Sequence, residues 1–172
     1  MAYPENIYLV GPMGAGKTTI GRQLAKQLRK EFLDCDLELE KRTGADIPLI
    51  FELEGEDGFR AREATMLEEL CEHRGVVLAT GGGVIHRSEN RSQLVTNGFV
   101  IYLNPPLEIL YQRTAHDRNR PMLHTDDDPR QRIRELLEAR DPLYRQVADL
   151  VVETGRNSSR FVVRDIIDGL PQ

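Results

Sequence analysis

The chain has 172 residues, 40% hydrophobic and 30% charged, enough for one domain with a buried core and one deep site. A net charge of −5 argues against general nucleic-acid binding, which wants a basic face, and no apolar run reaches the ~18 residues of a membrane span. The opening Met1-Ala2-Tyr3-Pro4-Glu5-Asn6 lacks the pattern of a signal peptide, and Cys35 and Cys71 stand outside any CxxC, which suits a reducing cytoplasm.

In chain order, Ile7-Tyr8-Leu9-Val10 reads as a buried strand ending at Gly11, and Thr18–Leu28 as a helix with Ile20, Leu24 and Leu28 on one face. Glu31–Asp34 is a short second strand. Ile47–Leu53 and Phe59–Glu72 have helical spacing, and Val76–Ala79 is a third strand closed by Gly81-Gly82-Gly83. Ser88–Val95 reads as a helix capped by Ser88, and Phe99–Leu103 as a fourth strand. Pro106 opens a helix running to about Thr114. Ala115–Asp128 is polar with few core residues. Arg130–Ala139 is helical, Leu150–Val152 is a fifth strand, and Phe161–Leu170 is a closing helix. The alternation predicts a single α/β domain over residues 1–172, a five-stranded parallel sheet with helices on both faces. Such sheets bind ligands at the carboxyl ends of their strands.

After the first strand stands Gly11-Pro12-Met13-Gly14-Ala15-Gly16-Lys17-Thr18, the G-x-x-x-x-G-K-[ST] phosphate loop in its required strand-to-helix context. Its glycines let successive N–H groups turn towards phosphate oxygens, and the following helix adds the positive end of its dipole. Lys17 supplies a charge for the β and γ phosphates, and the Thr18 hydroxyl can hold Mg²⁺. No N-K-x-D motif marks a GTPase, and the third strand ends in Ala79-Thr80-Gly81 with no acid for an ATPase motor. A small kinase of the nucleoside-monophosphate-kinase type fits better.

Asp34 and Asp36 flank Cys35 at the end of the second strand. If the chain stays extended there, both carboxylates share a face towards the ligand crevice. One can serve the Mg²⁺ shell, and the other can orient a substrate hydroxyl or take its proton. The bland reading makes them solvated or has Asp36 cap a helix from Leu37, with the Cys35 thiol packed on the opposite face. Arg60, supported by Glu63 three residues on, and Arg140 are candidates for a bidentate carboxylate clamp, with Arg62 pointing elsewhere. The triple glycine would let substrate approach the backbone. The four histidines, His73, His86, His116 and His124, read as scattered surface residues, and the Glu52–Asp57 acids as solvated helix ends.

Together these residues resemble the shikimate kinase family, the bacterial biosynthetic type. The resemblance runs from about residue 6 to 150, through Gly11–Thr19, Phe32–Asp36, Lys41–Gly44, Glu54–Arg60, Ala79–Gly83, Arg120-Pro121-Met122-Leu123 and Arg140–Tyr144. It implies phosphorylation of the shikimate 3-hydroxyl by MgATP in aromatic amino-acid biosynthesis, by a cytoplasmic monomer. By that resemblance Lys17, Asp36 and Arg120 are catalytic, with Asp36 gripping the substrate hydroxyls. Gly14, Ala15, Gly16, Lys17, Thr18, Thr19, Arg113, Arg120 and Asn157 bind ATP, Arg113 by stacking on adenine. Asp36, Arg60, Gly81, Gly82 and Arg140 bind substrate. Thr18 and, through water, Asp34 serve Mg²⁺. A mobile lid spans about 114–126, with the acidic His124–Asp128 run facing solvent. The competing expectations are another small-molecule kinase such as a gluconate kinase, and a nucleotide-binding module without turnover.

Overall fold

In the computed structural model, which describes residues 2–114 and 128–172, five strands form one sheet: β1 (Ile7–Val10), β2 (Glu31–Asp34), β3 (Val76–Ala79), β4 (Phe99–Asn104) and β5 (Leu150–Glu153). Every neighbouring pair is parallel, in the spatial order β2-β3-β1-β4-β5. The helices are α1 (Lys17–Leu28), α2 (Cys35–Thr43), α3 (Ile47–Leu70), α4 (Ser88–Asn97), α5 (Leu107–Thr114), α6 (Pro129–Val147) and α7 (Ser159–Gly169). All five strands are close to the predicted places. No helix among the described residues is long and apolar enough to cross a membrane.

Alternation along the central strands explains their unbroken apolar runs. Ile7 and Leu9 of β1 join Ile20 and Leu24 of α1 and Val162, Val163 and Ile166 of α7 on one face. Tyr8 and Val10 join Leu39 of α2, Met66 and Leu67 of α3 and Leu94 of α4 on the other. Both faces are covered, so every residue of β1 and β3 is buried. Because the strands are parallel, their carboxyl ends share one edge of the sheet, and the segments leaving that edge build the site.

Three local expectations are corrected, and one break is confirmed. The chain does not stay extended through Asp36: β2 stops at Asp34, which is the N-cap of α2. The break expected between the helices on either side of residues 54–58 is present inside α3, at Gly55, whose φ of 72° and ψ of −178° are non-helical. Ser88 does not cap α4; it is the first helical residue, after Arg87. Arg140 does not end its helix, because α6 continues through Pro142 to Val147. The buried residues Ile133, Arg140, Tyr144 and Val147 lie seven, four and three apart, one face of a continuous helix, and their docking outweighs the hydrogen bond that Pro142 cannot donate.

Candidate active site

One cavity of about 470 Å³ opens at the carboxyl edge of the sheet. Its walls include all the site residues named from the sequence except Arg120. Arg120, like His116, His124 and the expected lid from residue 115 on, lies outside the described residues.

The phosphate loop forms one end. Gly16 is the N-cap of α1 at φ 92°, a left-handed conformation that a side chain would strain, and it turns the chain directly into the helix. The first N–H groups of α1 therefore face the cavity, with no acidic residue in the first turn to compete for them. Lys17 is buried, and its Nζ donates to the carbonyls of Gly11 and Pro12 at 2.6 and 2.8 Å, which holds the ammonium at the loop. Arg113 reaches over from α5 and donates to the Gly14 carbonyl at 2.9 Å. Asn157 reaches the cavity from the turn before α7, where Ser158 caps the helix by accepting from the Phe161 N–H.

Asp34 links this loop to α2. Its Oδ1 accepts from the backbone N–H of Asp36 and Leu37 at 3.0 and 3.1 Å, while its Oδ2 accepts the Thr18 hydroxyl at 2.7 Å. The donated proton leaves the Thr18 oxygen's lone pairs available. A hydroxyl and a carboxylate joined this way are hard oxygen donors that fit Mg²⁺. Asp36 does reach the cavity beside Asp34, but from the first turn of α2 rather than from a strand. The Cys35 thiol between them is packed inward, and burial pushes its pKa well up.

The other end is polar and buried. Arg60 Nη1 donates to Glu63 Oε1 at 2.9 Å, one helical turn along α3. The other Glu63 oxygen is buried with no hydrogen-bond partner among the described residues. Burial raises the Glu63 pKa, and the Arg60 charge only partly offsets it. Arg140 is also buried, which lowers its pKa, though a guanidinium stays charged. The triple glycine lies among these groups. A Cβ on Gly83 would fall 2.3 Å from Arg60 Nη2, and one on Gly81 would fall 2.8 Å from Glu63 Oε2 and 3.2 Å from Asp36 Oδ1. Only glycine lets the turn pass so close to four charged side chains. The turn is itself fixed: the Gly81 carbonyl accepts from Val84 N–H at 3.2 Å, and the Gly82 carbonyl from the Tyr144 hydroxyl.

Sequence reasoning missed three contributors. Phe51 and Phe59 pack with ring centroids 4.8 Å apart and line the cavity beside Ile47. Tyr144, read only as part of a motif, holds the glycine turn. His86 is exposed, as expected of a surface histidine, yet it accepts a hydrogen bond from Arg140 Nε at 3.2 Å. Arg62 does point away, onto Glu54. Periodicity offered some signal for the phenylalanines. None links His86 to an arginine 54 residues away.

A phosphate loop at one end of a cavity, two buried guanidinium groups at the other and an aspartate between them define a small-molecule kinase of the phosphate-loop class. The shikimate kinase family model matches residues 13–171. A shikimate kinase of Pseudomonas fluorescens is 58% identical over 168 residues, covering 98% of this chain and 97% of the relative. One of Thioalkalivibrio sulfidiphilus is 57% identical over 96% of this chain and 87% of its own. The solved shikimate kinase of Acinetobacter baumannii in complex with shikimate superposes with a TM-score of 0.93 at 53% identity, over 95% of this chain and 91% of that one. The chain belongs to the shikimate kinase family. A gluconokinase from Sinorhizobium meliloti, with a TM-score of 0.61 at 16% identity, shares the fold alone.

Proposed function

We propose that this chain transfers the γ-phosphoryl group of MgATP to the 3-hydroxyl of shikimate, giving shikimate 3-phosphate and ADP. The observation that carries the reading is the pair of buried guanidinium groups, Arg60 and Arg140, around a glycine turn in the cavity that also holds the phosphate loop. A carboxylate is the ligand such a pair suits, because each fork can give it two parallel hydrogen bonds. Shikimate carries that carboxylate on a ring whose hydroxyls can reach Asp36.

Phosphoryl transfer is mostly positioning and charge neutralisation. Lys17 and the first N–H groups of α1 take the phosphate charge, with Arg113 and Asn157 at the nucleotide's other end. Thr18 and Asp34 are the residues that would hold Mg²⁺, which when bound would neutralise further phosphate charge. Arg60 and Arg140 fix the acid, with Gly81 and Gly82 lending backbone contact. Asp36 accepts the hydrogen bond of the attacking hydroxyl and takes its proton as the new P–O bond forms and the bond to ADP breaks. The reading includes a monomer acting in the cytoplasm.

The test is ADP release by the purified protein with MgATP, in the presence of shikimate, gluconate or neither. Release that depends on shikimate is expected. Release with gluconate instead would move the assignment to another acceptor, and nucleotide binding without release on either acid would favour a non-catalytic module.

A further inference from the structure

We propose that His86 is a positioning residue for the acid-binding end of the site: its imidazole accepts the Arg140 Nε–H and fixes the plane in which that guanidinium meets the substrate. This rests on the carboxylate clamp proposed above.

The backbone at His86 is well held. It ends a short 3₁₀ turn, Val84–His86, that follows the triple glycine. The His86 N–H donates to the Gly83 carbonyl at 3.2 Å, and its own carbonyl accepts from Arg91 Nη1 at 3.1 Å. The same Arg91 nitrogen donates to the Ile85 carbonyl at 2.7 Å. The glycine turn and the histidine are therefore one unit, and Arg140 is tied to it from across the cavity wall.

The partners decide the protonation state. A guanidinium has donors only, so the Nε2 atom facing Arg140 must carry its lone pair, and the ring proton sits on Nδ1. The surroundings agree. Although His86 is exposed as a whole, partial desolvation lowers its pKa, the Arg140 and Arg60 charges lower it further, Glu56 of α3 opposes them, and Arg91 of α4 adds to the lowering. Each lowering favours the neutral ring, the form that can accept.

Nε is the nitrogen of the fork that joins the side chain. Holding it fixes the guanidinium plane while the terminal Nη1 stays on the side of the glycine turn, 3.3 Å from a Cβ built on Gly82. A long arginine otherwise loses rotamer freedom when it binds a ligand, and pre-ordering it moves that loss to folding. The effect falls on acid binding and not on the phosphoryl step.

Three variants test this, each with its thermal midpoint measured beside its kinetics. His86→Ala should raise the KM for shikimate roughly tenfold, the scale of a hydrogen bond to a charged group, with kcat and the KM for ATP within about twofold of the parent. His86→Gln, whose amide oxygen can accept in place of Nε2, should restore most of the loss. In calorimetric titration of shikimate, adding His86→Ala to Arg140→Ala should cost nothing further, because His86 acts through Arg140. An Arg140→Ala protein that binds shikimate normally would overturn the clamp itself. Weak binding by Arg140→Ala with normal binding by His86→Ala, or losses that add in the double variant, would overturn only the role of His86. The pH profile is a further readout. As pH falls below the ordinary histidine range, the imidazolium has no lone pair for Arg140, so shikimate affinity should fall more steeply in the parent than in His86→Gln, where only groups shared by both proteins, Glu63 among them, titrate. Affinity that rises with acid would make His86 a direct partner of the anion and overturn the positioning role.

Discussion

Asp36 and Glu63 are both carboxylates beside Gly81, and the structure gives them different work. Asp36 sits in the first turn of α2 facing the cavity, where it can take the proton of an attacking hydroxyl. Asp36→Asn keeps the shape and removes the base, so kcat should fall roughly 100-fold or more, with a smaller change in the KM for shikimate. A kcat within about twofold of the parent would remove Asp36 from the chemistry. Glu63 is buried behind Arg60 and does not need to react. Its pKa is raised in the folded protein, first by burial. The sign follows: a raised carboxyl contributes most below its unfolded pKa, and that contribution is lost as pH rises through the folded one. The stability that Glu63 contributes therefore declines towards higher pH, while its Oε1 holds Arg60 in place. Glu63→Gln should melt no lower than the parent at neutral pH, with the gap closing towards acid, while the KM for shikimate rises several-fold. A variant that melts lower at neutral pH and binds shikimate normally would show Glu63 to be structural.

At the scale of elements, α3 carries Arg60 and Glu63 to the guanidinium end of the cavity, and Phe59, Arg60 and Glu63 all lie beyond its break. Gly55 lies in a region of backbone space open essentially to glycine alone, yet a Cβ there would touch nothing. The cost of Gly55→Ala is thus conformational strain and not a clash, about 1–3 kcal/mol. If the variant relieves strain by straightening the helix, the second half of α3 turns away from the glycine turn. A lowered thermal midpoint together with a raised KM for shikimate is expected; a lowered midpoint alone would separate the break from the site. Helical spacing alone placed a break between residues 53 and 59, but not its pivot at Gly55, which lies in an acidic run that reads as a solvated helix end. The strands, α1 and the phosphate loop were legible because short apolar runs and a fixed motif are local signals. Asp34 and Asp36 were rightly brought together by a wrong route. Their pairing comes from Asp34 capping α2, a competition between side chain and strand that alternation alone does not register. Arg140 was found, but its place inside α6 was not, since Pro142 reads as a stop. His86 and Tyr144 act across long sequence separations, and only the fold brings them to Arg140 and Gly82.

Over the whole molecule, the two ends of the cavity hang from different strands of one sheet: the phosphate loop from β1, the glycine turn from the neighbouring β3, and Asp34 from the edge strand β2. A ligand that binds only the folded state stabilises it by about 2.7 kcal/mol at 100 times its dissociation constant. In a domain of this size that is roughly 5–10 °C in Tm. MgATP and shikimate should each give such a shift alone. Arg140→Ala should abolish the shift with shikimate and keep the one with MgATP, because Arg140 hangs from α6 and lies against the glycine turn. Lys17→Ala should do the reverse, since its ammonium is held at Gly11 and Pro12. Differential scanning fluorimetry of the four protein–ligand pairs checks both halves at once. If either variant loses both shifts, the two ends are one cooperative unit, and the sheet edge is a coupling element as well as a scaffold.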